Sequence, residues 1–181
     1  MPLLSVLASL LEFLVTSLLA VVVVYLTLRA LIRTNTDFDE DDQLLRGNVA
    51  VGLLVAALLL GSASMMHKAF EPAADLLRSW FSSAQARQFG ILKLALYTLG
   101  DLALSFGVTV MTMSLSLRLF GRLTRTEKMR AGAELEKGNL AVGILLASVV
   151  FIVALFVGDG LAAVSKAVLP APRAGMLRIM R

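Results

Sequence analysis

The chain has 181 residues, of which 58% are hydrophobic and 17% are charged. This composition and the mean hydropathy of +0.83 indicate an integral membrane protein and not a soluble domain. The net charge of +4 comes from Lys and Arg residues beside apolar segments, so we expect no nucleic-acid partner. The chain contains no Cys, which excludes disulfides and thiolate metal sites.

Four apolar segments are long enough to cross a hydrocarbon core, which requires about 20 predominantly apolar residues in a helix. Apolar run length places these segments at residues 3–32, 47–67, 90–119 and 138–158. The first has no positively charged start and no small-residue cleavage site, so we interpret it as a retained span. The sequence therefore predicts an all-α membrane protein with four transmembrane helices.

A short motif at the start of the second span returns at the start of the fourth. Residues 46–52 read RGNVAVG and residues 137–143 read KGNLAVG, an offset of 91 residues. The identical positions are Gly47, Asn48, Ala50, Val51 and Gly52 in the first copy and Gly138, Asn139, Ala141, Val142 and Gly143 in the second. The first and third spans match at an offset of 89, where Glu12 falls on Asp101. The repetition predicts that each half of the chain is a hairpin of two spans.

The predicted hairpins define the domain organisation. Because each half has an even number of spans, both halves enter the membrane in the same orientation, as a parallel duplication. Residues 1–67 form the first two-helix repeat, 68–89 an amphipathic connector, 90–159 the second repeat and 160–181 a basic C-terminal tail. Within the connector, Glu71-Pro72 is expected to start a helix, since Pro suits the first helical turn.

The repeated unit resembles the YjfL family of small bacterial inner-membrane proteins, which carry a duplicated domain of unknown function. The resemblance rests on Asn48-Val49-Ala50-Val51, on Asn139-Leu140-Ala141-Val142 and on the acidic stretch at residues 36–40. It implies four spans in the bacterial inner membrane and gene neighbourhoods shared with envelope-stress or polyamine-related proteins. It implies no established activity.

Basic residues are concentrated between the third and fourth spans, at Arg118, Arg122, Arg125, Lys128 and Arg130. Cytoplasmic loops carry an excess of Lys and Arg, so both repeat loops are predicted to be cytoplasmic and both termini periplasmic. We expect these basic residues to set the topology and to contact anionic membrane lipids. Docking of an acidic cytoplasmic partner is the alternative.

Asn48 and Asn139 have two interpretations. Each can cap the helix that follows, because an Asn side chain accepts a hydrogen bond from the free N–H groups of the first turn. Each can also form a polar ring at the cytoplasmic mouth of a pathway, or a hydrogen-bonded clasp between the two halves. The small residues that follow them, Ala and Gly, are expected to allow close helix packing.

The carboxylates Glu12 and Asp101 are the sharpest functional candidates. Each lies 17 residues before a paired Arg (29 − 12 and 118 − 101), which is about 25 Å of helix and places both in the outer half of the membrane. An unpaired carboxylate there is costly, so each must be protonated, paired or facing water. Lys93 and Tyr97 precede Asp101 at spacings of four, which suggests a Lys93–Asp101 interaction through Tyr97 or water.

Two classes of function remain open. The sequence shows no nucleophile with a base and no phosphate loop, so we expect no enzymatic activity and no cofactor. His67 stands beside Met residues without further ligands on its face, so we expect no metal site. The first class, which we favour, is a homo-oligomeric ion or proton channel or transporter using Glu12 and Asp101. The second is a non-conducting membrane scaffold, or an envelope-stress partner, that recruits cytoplasmic proteins through charged loops.

Overall fold

The structure, a computed structural model, describes residues 2–27, 29, 40–82, 90–123 and 131–170. These residues form six helices and no strand: α1 (Pro2–Thr27), α2 (Glu40–Leu45), α3 (Val49–Ser82), α4 (Ile91–Leu123), α5 (Ala131–Glu136) and α6 (Leu140–Val168). The prediction of an all-helical chain is confirmed. The acidic stretch before Glu40 and the predicted basic residues Arg125, Lys128 and Arg130 lie outside the described residues, as do residues 171–181 of the tail.

Four of these helices are long and apolar enough to cross a membrane. The qualifying segments are Ser9–Thr27, Val49–Phe81, Ile91–Leu119 and Leu140–Val168. They coincide with the four spans predicted from apolar run length, and they support a multi-pass membrane protein. The helices α3 and α6 continue beyond the predicted ends of their spans at residues 67 and 158, reaching Ser82 and Val168.

The prediction that Glu71-Pro72 starts a new helix is wrong, because Pro72 lies inside the continuous helix α3. Pro lacks the N–H that would bond to the carbonyl of Lys68, and a helix interior usually disfavours it for that reason. Here Ala69 and Ala73, both fully buried, pack the flanking turns against the rest of the molecule. Tertiary packing therefore carries the helix through the proline, and residues 68–82 of the predicted connector extend α3.

The centre of the fold is the contact between α3 and α6, the most extensive between any two described helices. Small residues bring the two backbones together, with Gly143 against Ala50, Gly61 against Ala154 and Gly158 against Met65. Residue numbers rise together along both helices in these pairs, so α3 and α6 run parallel. Apolar side chains such as Val51, Leu54, Leu146 and Val150 fill the interface.

The other two spans flank this pair. Helix α1 packs on α3, and α4 packs on both α3 and α6. Near the C-terminal end of α3, a second apolar cluster joins Phe70 and Ala73 to Leu94 of α4 and to Leu169, which follows α6. Many apolar side chains on the outer faces remain exposed, as expected for helices that face lipid.

We expect Gly143→Ala to destabilise the protein by about 1–3 kcal/mol, the usual cost of overpacking a close contact. A Cβ at this position would lie 2.8 Å from both the Cα and the carbonyl oxygen of Ala50. Gly52→Ala is the matched control at the equivalent position of the first motif. Its Cβ would meet nothing nearer than a side-chain carbon of Leu44 at 3.8 Å.

Reversible unfolding in detergent micelles measures both variants. Gly52→Ala should be neutral or stabilising by up to about 1 kcal/mol, since Ala is the better helix former. Equal effects of the two substitutions would contradict the packing described for α3 and α6.

Candidate functional site

The two Gly-Asn motifs fold into the same turn. Gly47 has φ +73° and Gly138 has φ +78°, the left-handed backbone region that favours glycine. Each turn ends a short helix through two backbone bonds of a Schellman motif. The N–H groups of Gly47 and Asn48 donate to Leu44 and Gln43 at 3.0 Å, and those of Gly138 and Asn139 donate to Leu135 and Glu134 at 2.9 Å. The glycine in each motif is therefore required by the turn.

Asn48 uses both ends of its side-chain amide. Its Oδ1 accepts hydrogen bonds from the N–H groups of Ala50 at 3.1 Å and Val51 at 3.2 Å, which caps α3. Its Nδ2 donates to Gln43 Oε1 and to the Leu135 carbonyl at 2.8 Å, and to the Glu136 carbonyl at 3.3 Å. Asn48 therefore both caps α3 and forms a hydrogen-bonded clasp between the two halves of the chain.

Asn139 behaves differently at the equivalent position. It stands at the N-cap position of α6, but its side chain caps no N–H group, so the prediction of a side-chain cap is wrong here. Its Nδ2 instead donates to Glu134 Oε2 at 3.0 Å, as Asn48 does to Gln43. Glu134 also accepts a hydrogen bond from Lys137 Nζ at 2.8 Å. The Glu134 carboxylate is a stronger hydrogen-bond acceptor than the amide oxygen of Gln43. This stronger bond holds the Asn139 amide towards α5.

An open cleft of about 450 Å³ lies between the two turns. Its lining residues come from both motifs: Gln43, Arg46, Asn48, Glu136, Lys137 and Gly138. Arg46 forms an ion pair with Asp42 at 2.7 Å, and Lys137 pairs with Glu134. Both basic side chains are thus compensated within their own turn.

Glu12 is paired with an arginine of α3. Arg78 donates from Nε to Glu12 Oε2 at 2.8 Å, and a second nitrogen of the same guanidinium bonds Oε1. Arg78 also approaches Asp75 at 3.4 Å. Of the three states expected for Glu12, the structure shows the paired one. The pair lines a cleft of about 440 Å³ between α1 and α3 that also includes His67 and Glu71.

Asp101 has no such partner. Its side chain is 1% exposed, and no donor in the described part of the chain hydrogen-bonds either carboxyl oxygen. The Ser165 hydroxyl of α6 approaches the carboxyl without hydrogen-bond geometry to either oxygen, and it lies 3.3 Å from the Ser105 hydroxyl. With Thr98 and Thr109, Asp101 and Ser105 form a buried polar stripe along α4.

Lys93 and Tyr97 do not join this stripe. Lys93 is exposed and Tyr97 is 40% exposed, whereas Asp101 is buried and hydrogen-bonded to neither. A spacing of four residues turns about 40° past a full helical turn, so two such steps move a side chain to another face. The predicted Lys93–Asp101 interaction is absent from the described residues for this reason.

Sequence reasoning missed an ion pair between the two central helices. Lys68 Nζ of α3 lies 2.6 Å from Asp159 Oδ1 of α6, and the Lys68 stem passes over Gly158. The two positions differ by 91 residues, the offset of the repeated motif, so the repeat could have identified the pair. The pair of Arg78 and Glu12 gave no comparable signal. Both residues lie in the first half of the chain, so the repeat offset does not relate them.

Of the basic residues predicted to contact lipid or a partner, Arg118 and Arg122 lie in the described part of the chain. Arg118 is exposed on α4, and Arg122 lies within the same helix. Across the described ranges, no group of three His, Asp or Glu side chains is placed to hold a metal ion.

Replacing Asn48 with Ala should lower the free energy of unfolding by about 2–4 kcal/mol, since the change removes a helix cap and also the hydrogen bonds that the amide donates to Gln43 and to the last carbonyls of α5. Asn139→Ala is the matched control and should cost less than about 1.5 kcal/mol, the value of one hydrogen bond. Denaturant titration in micelles measures both. Similar losses for the two variants would contradict the unequal roles of the two amides.

Acid should weaken the contribution of Glu134 to the free energy of unfolding. Hydrogen bonds from Lys137 and then from Asn139 hold the pKa of the Glu134 carboxyl below its ordinary value. A lowered folded-state pKa means that the stabilisation is present at neutral pH and is lost as the pH falls through that pKa. Glu134→Gln should flatten this part of the stability profile between neutral and acidic pH. An unchanged profile in the variant would exclude the contribution.

Comparison with known proteins identifies the family but no relative of known function. A family model described as Domain of Unknown Function (DUF350) matches residues 5–161. Neither the curated proteins nor the solved structures provide a match to the chain. With most of its length matched, including the greater part of each of the four long helices, the chain belongs to the DUF350 family of domains of unknown function.

Proposed function

We propose that the protein is an oligomeric membrane channel or transporter for ions or protons, with Asp101 as the group that binds the ion inside the membrane. The observation that carries the proposal is the burial of the Asp101 carboxyl without a hydrogen-bond partner among the described residues. Ionisable groups inside membranes are costly and commonly mark pathways for ions or protons. No enzymatic activity and no cofactor are part of this function.

The second acidic group contributes in another way. Glu12 is compensated by Arg78, so it supplies a fixed pair of charges beside the cleft between α1 and α3. One copy of four helices leaves little room for a lined pore, so a homo-oligomer is part of the proposal. Asn48 and Asn139 would then lie at the cytoplasmic mouth, with basic loop residues against anionic lipids.

The proposal includes a parallel duplication of a two-helix hairpin in the bacterial inner membrane, as in the YjfL family that the motifs resemble, with both termini periplasmic. Three observations support the duplication. The two Gly-Asn turns have the same pattern of backbone hydrogen bonds, and both Asn amides donate to the side chain five residues earlier. In addition, α3 runs parallel to α6.

A non-conducting scaffold that recruits cytoplasmic or envelope-stress proteins is the second candidate. It is favoured by the two ion pairs that join helices, Glu12–Arg78 and Lys68–Asp159, since such pairs can serve as structural contacts alone. In that function Asp101 would contribute to assembly, and no flux would depend on it.

Ion flux through purified protein in liposomes, with oligomer mass measured in the same preparation, tests the proposal. Glu12→Gln, Asp101→Asn and the double variant are compared with the native chain. We expect Asp101→Asn to remove most of the flux at constant mass, because the amide cannot bind a cation or exchange a proton as a carboxyl does. Glu12→Gln should have the smaller effect on flux.

A stable oligomer that passes no ion at any tested potential or pH would contradict the proposed function. Loss of oligomer mass in Asp101→Asn, with no flux in the native protein, would support the scaffold.

A further inference from the structure

The two carboxylates occupy equivalent positions but have unequal surroundings. Glu12 corresponds to Asp101 at the offset of 89 residues (12 + 89 = 101), and its partner Arg78 corresponds to Leu169 at the offset of 91 (78 + 91 = 169). Leu169 is 6% exposed and packs in the apolar cluster at this end of the molecule. The second half therefore keeps the acid and has a leucine in place of the basic partner.

Among the described residues, no charged group on the helices packed against α4 compensates Asp101. Arg78 of α3 is bonded to Glu12 and Asp75, and Lys68 of α3 is bonded to Asp159 of α6. The other charged or titratable side chains on α3, α4 and α6 with described exposure lie on the surface: His67, Glu71, Lys93, Tyr97, Arg118 and Lys166. An ionised Asp101 would therefore be a buried charge without a counter-charge within the described part of the chain.

Further polar groups near this end of α4 also lack partners. Thr98 Oγ1, one turn before Asp101, is buried without a hydrogen bond among the described residues, as is Trp80 Nε1 of α3. One turn after Asp101, the Ser105 and Ser165 hydroxyls lie within 3.3 Å of each other across α4 and α6. Neutral hydroxyls thus lie one turn before and one turn after a carboxyl that has no cation among the described residues. A buried carboxylate in such a place is strongly disfavoured, whereas a protonated carboxyl is neutral and can donate to a hydroxyl.

We propose that Asp101 is a proton-binding site in the membrane-embedded protein and that the Ser105 and Ser165 hydroxyls are the groups placed to accept the hydrogen bond of the bound proton. This inference rests on the proposed function and specifies its ion as the proton. On release, the O–H bond of the Asp101 carboxyl breaks and the proton is transferred to a water molecule. The carboxylate that remains then binds a new proton from water. Glu12 is not such a site, because the Arg78 guanidinium is bonded to both of its carboxyl oxygens.

Infrared spectroscopy of the protein in liposomes at neutral pH tests the site without requiring a reagent to reach it. The C=O stretching band of a protonated carboxylic acid should be present in the native protein and should shift in deuterium oxide. Asp101→Asn should remove this band, and Glu12→Gln, the matched control, should leave it unchanged. Absence of the band in the native protein, or its persistence in Asp101→Asn, would overturn the proposal.

Substitutions at positions 78 and 169 test whether the missing arginine is the reason that Asp101 binds a proton. Arg78→Leu reproduces at Glu12 the environment of Asp101, so a second protonated-acid band should appear, and adding Glu12→Gln should remove it. Leu169→Arg should supply a counter-charge in the second half and weaken the Asp101 band. Size-exclusion chromatography selects folded preparations. A folded Arg78→Leu protein without the second band would show that the missing arginine does not explain protonation at Asp101.

Proton flux measured on the same liposomes separates the two proposals. In the expected result, Asp101→Asn loses both the infrared band and the flux, which falls to that of protein-free liposomes. A band without any flux in the native protein would retain the proton site and reject conduction. Flux without a band, or flux carried by Na⁺ or K⁺ and not by protons, would retain conduction and reject the proton site.

Discussion

The close approach of α3 and α6 is the contact on which the rest of the structure depends. Helices in a bilayer gain little from burying apolar surface, because lipid tails are equally apolar, so they associate through tight packing and hydrogen bonds. Gly143 against Ala50 allows that packing at one end of the parallel pair. The same parallel register brings the starts of both helices together, where Asn48 reaches the carbonyls that end α5, and it aligns Lys68 with Asp159. The helices α1 and α4 then pack on the outside of this pair.

Three acids of the long helices, Glu12, Asp101 and Asp159, differ in whether a basic side chain compensates them. Glu12 and Asp159 each have a basic partner on α3, so their charges are paired where the helices meet. Asp101 is more deeply buried than Glu12, whose side chain is 22% exposed, and it lacks a partner among the described residues. The two halves of the chain are therefore similar in backbone and different in electrostatics, and one of the differences lies near the C-terminal ends of α3 and α6.

The fold could be predicted largely from sequence, because the thickness of the hydrocarbon core dictates the length of each apolar run. The path of the chain through Pro72 could not, since it depends on how the surrounding turns pack. The same applies to the side chain of Asn139, whose direction is decided by competition between Glu134 and the free N–H groups of α6. At the site, the two acids were found from their positions in apolar runs. The partner Arg78 was missed because finding it requires the register of α1 against α3.

The unpartnered carboxyl also bears on the choice between a conducting protein and a scaffold. A hydrophobic side chain of similar volume at position 101 would stabilise the contact between α4 and α6 better than an acid without a counter-charge. A scaffold that used its acids as structural contacts would be expected to pair both of them, as Glu12 is paired with Arg78. With Leu169 in place of a second arginine, the described residues give Asp101 no counter-charge, and this is the environment in which we propose an exchangeable proton. For this reason we propose ion or proton chemistry at Asp101 and not a purely structural role.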